Sequence, residues 1–359
     1  MESKRILPIV AGLLAAVAAA AQNRAPKLPP APANPPAPSL QATADAGYVA
    51  EVASCKNPPK PFRINFPATG PGPRDYSVTA IPGVVAAGEQ WKFIWQDAGN
   101  DGDGIVGTKD GGLLIAQNDK SDIVKLDKNG KPSIAYTDTH TGGAISISSQ
   151  ETVFVDERGL HAAIWEVAPR HKLLADTYNG ETLDCIPGVL NDLVADSRGG
   201  VYFTMGGLFY ASRAGLVTKY GDNLRTNGII LSPDETKLYV TNVGTVVVFD
   251  VQADGSLTNQ RDFAQLPPKT AGDGSTIDAE GRVYVSTDPG VQVIGTDGTL
   301  LGVIPTPRPI ISVAFGGHDR KTLFILARGA EDANGQQIAN AAQVYSIQMI
   351  AQGYKSRPK

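Results

Sequence analysis

Short apolar runs separated by polar turns recur along most of the chain. Six segments share one plan: GIVGTKDGGLLIAQNDKSDIVKLDKNGK from Gly104, GAISISSQETVFVDE from Gly143, DLVADSRGGVYFTM from Asp192, GIILSPDETKLYVTN from Gly228, GSTIDAEGRVYVST from Gly274 and ISVAFGGHDRKTLFILA from Ile311. Each has an apolar strand, a polar turn carrying Asp, Glu, Gly or Lys, and an apolar-aromatic strand. Period-two alternation and β-branched enrichment predict strands throughout, and no long stretch shows a helical period. The starts are spaced by about 36 to 49 residues, the length of a four-stranded propeller blade. Outer strands are supplied by GLFYAS and GLVTKYG, VVVFDV and NQRDFAQL, VQVIGT and LLGVIP. The pattern predicts an all-β chain folded as a six-bladed β-propeller over residues 74–350. The sixth unit lacks strands of its own, so AAQVYSIQM near the end must be joined by YSVTAIPGVV or QWKFIWQ near the start. Such a mixed blade closes the ring and removes its free edges.

The innermost strand of every blade lines the central channel, so equivalent positions in different repeats converge on the axis. Asn191, Asn227 and Asp273 open the third, fourth and fifth units at or beside one blade position, and Asp103 lies there in the first. Four oxygen-bearing side chains should meet near one point. Oxygen ligands without thiolates or imidazoles favour a hard divalent cation such as Ca²⁺ or Mg²⁺. The histidines, His140, His161, His171 and His318, form no HxH or HExxH arrangement; they read as surface or structural residues, with His140 and His161 within reach of the channel mouth. Asn-Gly and Asp-Gly are also ordinary turn formers, and Asp254-Gly255 and Asp297-Gly298, between outer strands, read as turns only. The run NDGDG from Asn100 resembles a calcium loop but lacks the remaining ligands and the terminal Glu of an EF-hand. Shared phase predicts convergence; the chemistry is a further step.

Lys and Arg number 32 against 36 Asp and Glu, a net charge of −4, and no basic cluster is interleaved with aromatics, which argues against nucleic acid as a partner. Residues 1–21 read as an export signal, with a basic start, a short apolar run and a small-residue end, the alternative being an uncleaved anchor. Residues 22–45, rich in Pro and Ala, read as a polyproline II linker, 46–73 as an N-terminal extension and 351–359 as a tail. The expectation is a periplasmic or secreted protein without stable membrane insertion once the signal is cleaved. An oxidising compartment permits Cys55 and Cys185 to pair, although spacing leaves the pairing open.

NDLVADSRGGVYFT, TNGIILSPDETKLYVTN, GDGSTIDAEGRVYVS and VQVIGTDGTLLGVIPTP together resemble the gluconolactonase, regucalcin (senescence marker protein) and luciferin-regenerating-enzyme family, from about Asp101 to Ala327. The resemblance implies a six-bladed propeller with a divalent cation in the channel, Ca²⁺ first with Mg²⁺ or Zn²⁺ as alternatives. It implies Asp103, Asn191, Asn227 and Asp273 as metal ligands, Asp103 standing where the family has Glu. It further implies Asn191 and Asp192 at the substrate, Asp273 as catalytic base and a small lactone as substrate. Departures are Val189, where animal members place Arg, and Met205-Gly206-Gly207, where many bacterial members have Asp-Pro. The substrate is therefore open between gluconolactone and a larger or more apolar lactone or ester. The competing readings are a non-catalytic propeller that binds carbohydrate or protein, and an arylesterase or phosphotriesterase.

Overall fold

The computed structural model describes residues 52–59, 72–99, 101–158, 161–268, 270–357 and 359. The expected signal segment and linker lie outside the described residues, as does most of the N-terminal extension. Six four-stranded antiparallel sheets follow one another as blades. The inner strands are Gly102–Gly107, Ile145–Ile147, Leu193–Ala195, Thr226–Leu231, Ser275–Ile277 and Ile310–Gly316, in blades 1 to 6. Each pairs with the next strand in sequence, and blades 1 to 5 then run outward strand by strand. No described helix is long and apolar enough to cross a membrane.

The expected closure is present. Blade 6 consists of Ile310–Gly316, Thr322–Glu331, Gln337–Gln348 and, as its outermost strand, Lys92–Gln96, which pairs Phe93 with Tyr345 and Gln96 with Gln343. Of the two candidates for that strand, QWKFIWQ is the one used. The other, YSVTAIPGVV, forms a small bridged turn (Ile81 opposite Val85) packed over blades 5 and 6. Trp91, fully buried, anchors this cover by donating its indole N–H to the Pro305 carbonyl at 2.7 Å. Asp97 then stitches the seam, accepting from the Ala342 amide at 3.0 Å and the Gly102 amide at 3.3 Å.

Blade faces are apolar and buried against their neighbours: Val194 and Tyr202 of blade 3, Ile229 and Val240 of blade 4, and Ile277 and Val285 of blade 5 belong to one continuous cluster. A single blade leaves both such faces wet, so the ring is stable only as a whole. Cys55 and Cys185 form a disulfide with a Cα separation of 5.5 Å, fastening the segment before the propeller to the loop between blades 2 and 3.

Removing Gln336–Lys359 takes away the partner of two blade-6 strands at once. We expect that truncation to abolish the cooperative thermal transition followed by near-ultraviolet circular dichroism; an unchanged melting temperature would show that strand closure does not hold the ring.

Candidate functional site at the entry rim of the channel

Every inner strand enters the channel at one rim and leaves at the other. Asp103 sits at the start of the blade-1 strand, Asn191 and Asp192 immediately precede Leu193, Asn227 is the second residue of its strand, and Asp273 lies two residues before Ser275. All five sequence-identified residues therefore gather at the entry rim. Their charges are felt mutually: Asp273 is pushed up to about 7, first by burial and then by the nearby Asp103 charge, with Asp192 adding to it and Arg328 and Arg158 opposing.

The dipeptides that marked these positions serve a packing purpose. Gly228, Gly274 and Gly104 are not in the positive-φ conformation of a turn. A Cβ on Gly228 would lie 2.1 Å from the Asp273 carbonyl oxygen, one on Gly274 2.5 Å from Ser312 Oγ and one on Gly104 2.6 Å from the Gly143 carbonyl oxygen. Glycine follows the functional residue because backbone touches backbone between adjacent blades there. Blade 3 is the exception. Asp192 stands in the glycine's place and spans the gap, its Oδ2 accepting from the Ile229 amide of blade 4 at 3.1 Å.

Asp192 was expected at the substrate, yet its carboxylate is buried and occupied. Besides Ile229 it accepts from its neighbour Leu193 N–H at 2.8 Å, and both its oxygens accept from Lys359 Nζ, at 2.6 and 2.7 Å. Asn191 remains half-buried at the rim, its amide donating to Thr204 O at 2.9 Å. Asn227 is held through its carbonyl, which accepts from Thr204 Oγ1 at 2.7 Å. Its side-chain oxygen Oδ1 is buried without a partner, and no described residue donates to the Asp273 carboxylate.

Sequence reading missed Arg158, Asp101, Arg328 and Lys359. Arg158 follows the second strand of blade 2, and its guanidinium is buried across the rim, donating to Asp103, to Asp156 at 3.1 Å and to the Asn191 carbonyl. Burial works against that charge, but Asp156 and Asp103 more than offset it and hold Arg158 firmly protonated. Space for it comes from Gly143, the blade-2 equivalent of Asp273, where a Cβ would fall 1.8 Å from Arg158 Cζ. That glycine, in the phase where blades 1, 3, 4 and 5 carry Asn or Asp, was the one signal in the sequence. Asp101 is pushed up to about 7 by burial and by the charges of Asp103 and Asp119. Among the described residues no three His, Cys, Asp or Glu side chains form a metal cluster by themselves, so a cation here would depend on asparagine oxygens. His140 contacts Glu157 at 3.2 Å and His171 stacks on Trp165.

Residues 132–328 match the family described as the SMP-30/Gluconolactonase/LRE-like region. A gluconolactonase of Zymomonas mobilis is 26% identical over 293 residues, which span 68% of this chain and 78% of that protein. A pentonolactonase of Haloferax volcanii is 30% identical over 161 residues, 40% of this chain and 55% of that one. Among solved structures, a Xanthomonas campestris gluconolactonase superposes with a TM-score of 0.63 at 20% identity, covering 78% of this chain and 98% of its own. A calcium-binding regucalcin of Agrobacterium tumefaciens gives 0.56 at 20% identity, with coverages of 70% and 91%. At these identities the superpositions show a shared fold.

Substituting Gly228→Ala inserts a methyl group against the Asp273 carbonyl. The expected cost is about 1–3 kcal/mol of stability from overpacking, measured by urea denaturation, together with weakened function of the rim. A neutral Gly228→Ala would mean that blades 4 and 5 do not touch there.

Proposed function

The chain belongs to the SMP-30/gluconolactonase/LRE-like family, and we propose that it is an exported, metal-dependent lactonase that hydrolyses a sugar lactone or related cyclic ester at the entry rim. The lactone-hydrolysing relatives support the reaction class. The observation that carries it on this chain is Asn227 Oδ1, buried without a partner among the described residues, at the rim where the Asp273 carboxylate is pushed up to about 7. Buried polar atoms ordinarily find partners, and an orphaned amide oxygen at a rim that also carries Asp103 and Asp273 suits a hard cation. Asp103, Asn191, Asn227 and Asp273 would hold it, Asp103 sharing its carboxylate with Arg158. When bound, such a cation supplies an electrophile for the lactone carbonyl oxygen.

Asp273, with a proton affinity near neutrality, is the base. It takes a proton as a water oxygen bonds to the carbonyl carbon, and the ring C–O bond breaks as that proton passes to the departing ring oxygen, giving the open hydroxy acid. Asn191 orients the ring. Val189, two residues before Asn191, and buried Met205 are uncharged, so neither supplies a cation for a charged ring substituent, which supports a neutral ring. The Cys55–Cys185 disulfide supports export to an oxidising compartment.

Hydrolysis of a lactone panel with and without EDTA tests the assignment, a binding propeller giving no turnover in either condition. Asp273→Asn should lower kcat by on the order of 10² to 10³ or more, and full turnover in that variant would remove Asp273 from the mechanism. Asn227→Ala should weaken the cation while leaving the base in place.

Because Asp273 lies near 7 without a cation, protons and cation compete. A raised carboxylate pKa means more protonation as pH falls, so Ca²⁺ affinity by calorimetry should decrease from pH 8 to pH 6, by up to about tenfold per unit for one displaced proton. A pH-independent affinity would sever Asp273 from the ligand set.

A further inference from the structure

Residues 351–357 and Lys359 cross the exit rim, opposite the candidate site. Gly353 donates its amide to Arg320 O at 2.8 Å under blade 6 and bridges to Asp278 of blade 5. Arg357, buried, donates to the Leu231 and Ser232 carbonyls of blade 4 at 3.1 and 2.9 Å and lies 3.6 Å from Glu235. The Lys359 carbonyl accepts from Ser146 Oγ at 2.5 Å and from the Ile147 amide at 3.2 Å in blade 2. Its side chain, 2% exposed, then runs up the channel to Asp192 of blade 3. Blades 2 to 6 are thus bound from below by one short segment.

We infer that this segment is the floor of the channel, and that Lys359 is a positioning residue for the entry-rim site. Resting on the lactonase reading for its catalytic consequence, the link runs from Lys359 Nζ to the Asp192 carboxylate, from its Oδ2 to the Ile229 amide, and so to Asn227 two residues earlier. Asp192 also adjoins Asn191. One ammonium therefore fixes the backbone that presents two of the four oxygen-bearing residues. A bidentate buried pair holds its geometry firmly, and loss of one partner leaves a buried carboxylate alone. Among the described residues the floor covers the exit rim, which leaves the entry rim as the route for both substrate and product.

Three variants of the full chain test this. Lys359→Met should lower kcat and Ca²⁺ affinity by about 10- to 100-fold, the usual effect of removing a partner behind a ligand, with KM changed less than kcat. Lys359→Arg, which keeps the charge, should restore most of both. Arg357→Met removes floor contacts without touching Asp192, and should lower the melting temperature while leaving kcat and Ca²⁺ affinity near those of the parent. If Lys359→Met leaves both values unchanged, or if the Lys359 and Arg357 variants lose activity in proportion to melting temperature, the segment is packing alone and the proposal falls. If the parent hydrolyses no lactone, the lactonase reading fails, and Ca²⁺ calorimetry on the same variants still decides the Lys359 link. For the floor itself, Ser146→Cys places the one free thiol beneath the segment. A charged thiol reagent should leave it unmodified in the full chain and modify it when residues 352–359 are removed; equal reactivity would show an open exit rim.

Discussion

Adjacent inner strands approach at the entry rim until backbone meets backbone, and the rest of the site depends on that closeness. The contacts beside Gly104, Gly228 and Gly274 leave no room for a side chain. Asp103, Asn227 and Asp273, each one residue earlier, are consequently carried toward the same axis. A looser ring would hold the same residues with water between them, and neither the raised proton affinity of Asp273 nor the orphaned oxygen of Asn227 would arise. Apolar packing between blade faces supplies the stability, and the glycines set how far that packing can close.

Within so narrow a space, carboxylates diverge by the partners they receive. Asp103 is paired with Arg158, and Asp192 with Lys359. Asp273 receives no donor among the described residues and is raised by burial and by its acidic neighbours. Three acids of similar position in the fold thus acquire different chemistry, because two of them sit in a direct ion pair while the third feels Arg328 and Arg158 only as a weaker opposing field. Arg158 makes this possible only because blade 2 has Gly143 where blades 1, 3, 4 and 5 carry a polar side chain.

Blade number, ring closure and convergence of the rim were legible in the sequence because they follow from local periodicity and phase. The strand QWKFIWQ could be named as a closing candidate because an unfinished blade demands one. The role of Asp192 was not legible: its partner Lys359 is 167 residues away and belongs to no repeat. Arg158 was hidden for a similar reason, since its site is defined by the absence of a side chain at Gly143. Asp-Gly and Asn-Gly were correctly placed, but as turn formers they gave the wrong reason for their glycines. Periodicity reports on elements that repeat, and specific electrostatic partners are the elements that do not.

Charge balance at the rim connects these partners to the proposed chemistry. Among the described residues, Asp101, Asp103, Asp119, Asp156, Asp192 and Asp273 share this region with Arg158, Arg328 and Lys359, so carboxylates outnumber cations. The two with proton affinities raised to about 7, Asp101 and Asp273, are the ones through which that excess is expressed. Near neutrality the site can relieve that excess by taking up protons, and the divalent cation of the proposed function would relieve it in the same way. For the cation of the proposed function, binding and deprotonation of Asp273 would be one linked equilibrium.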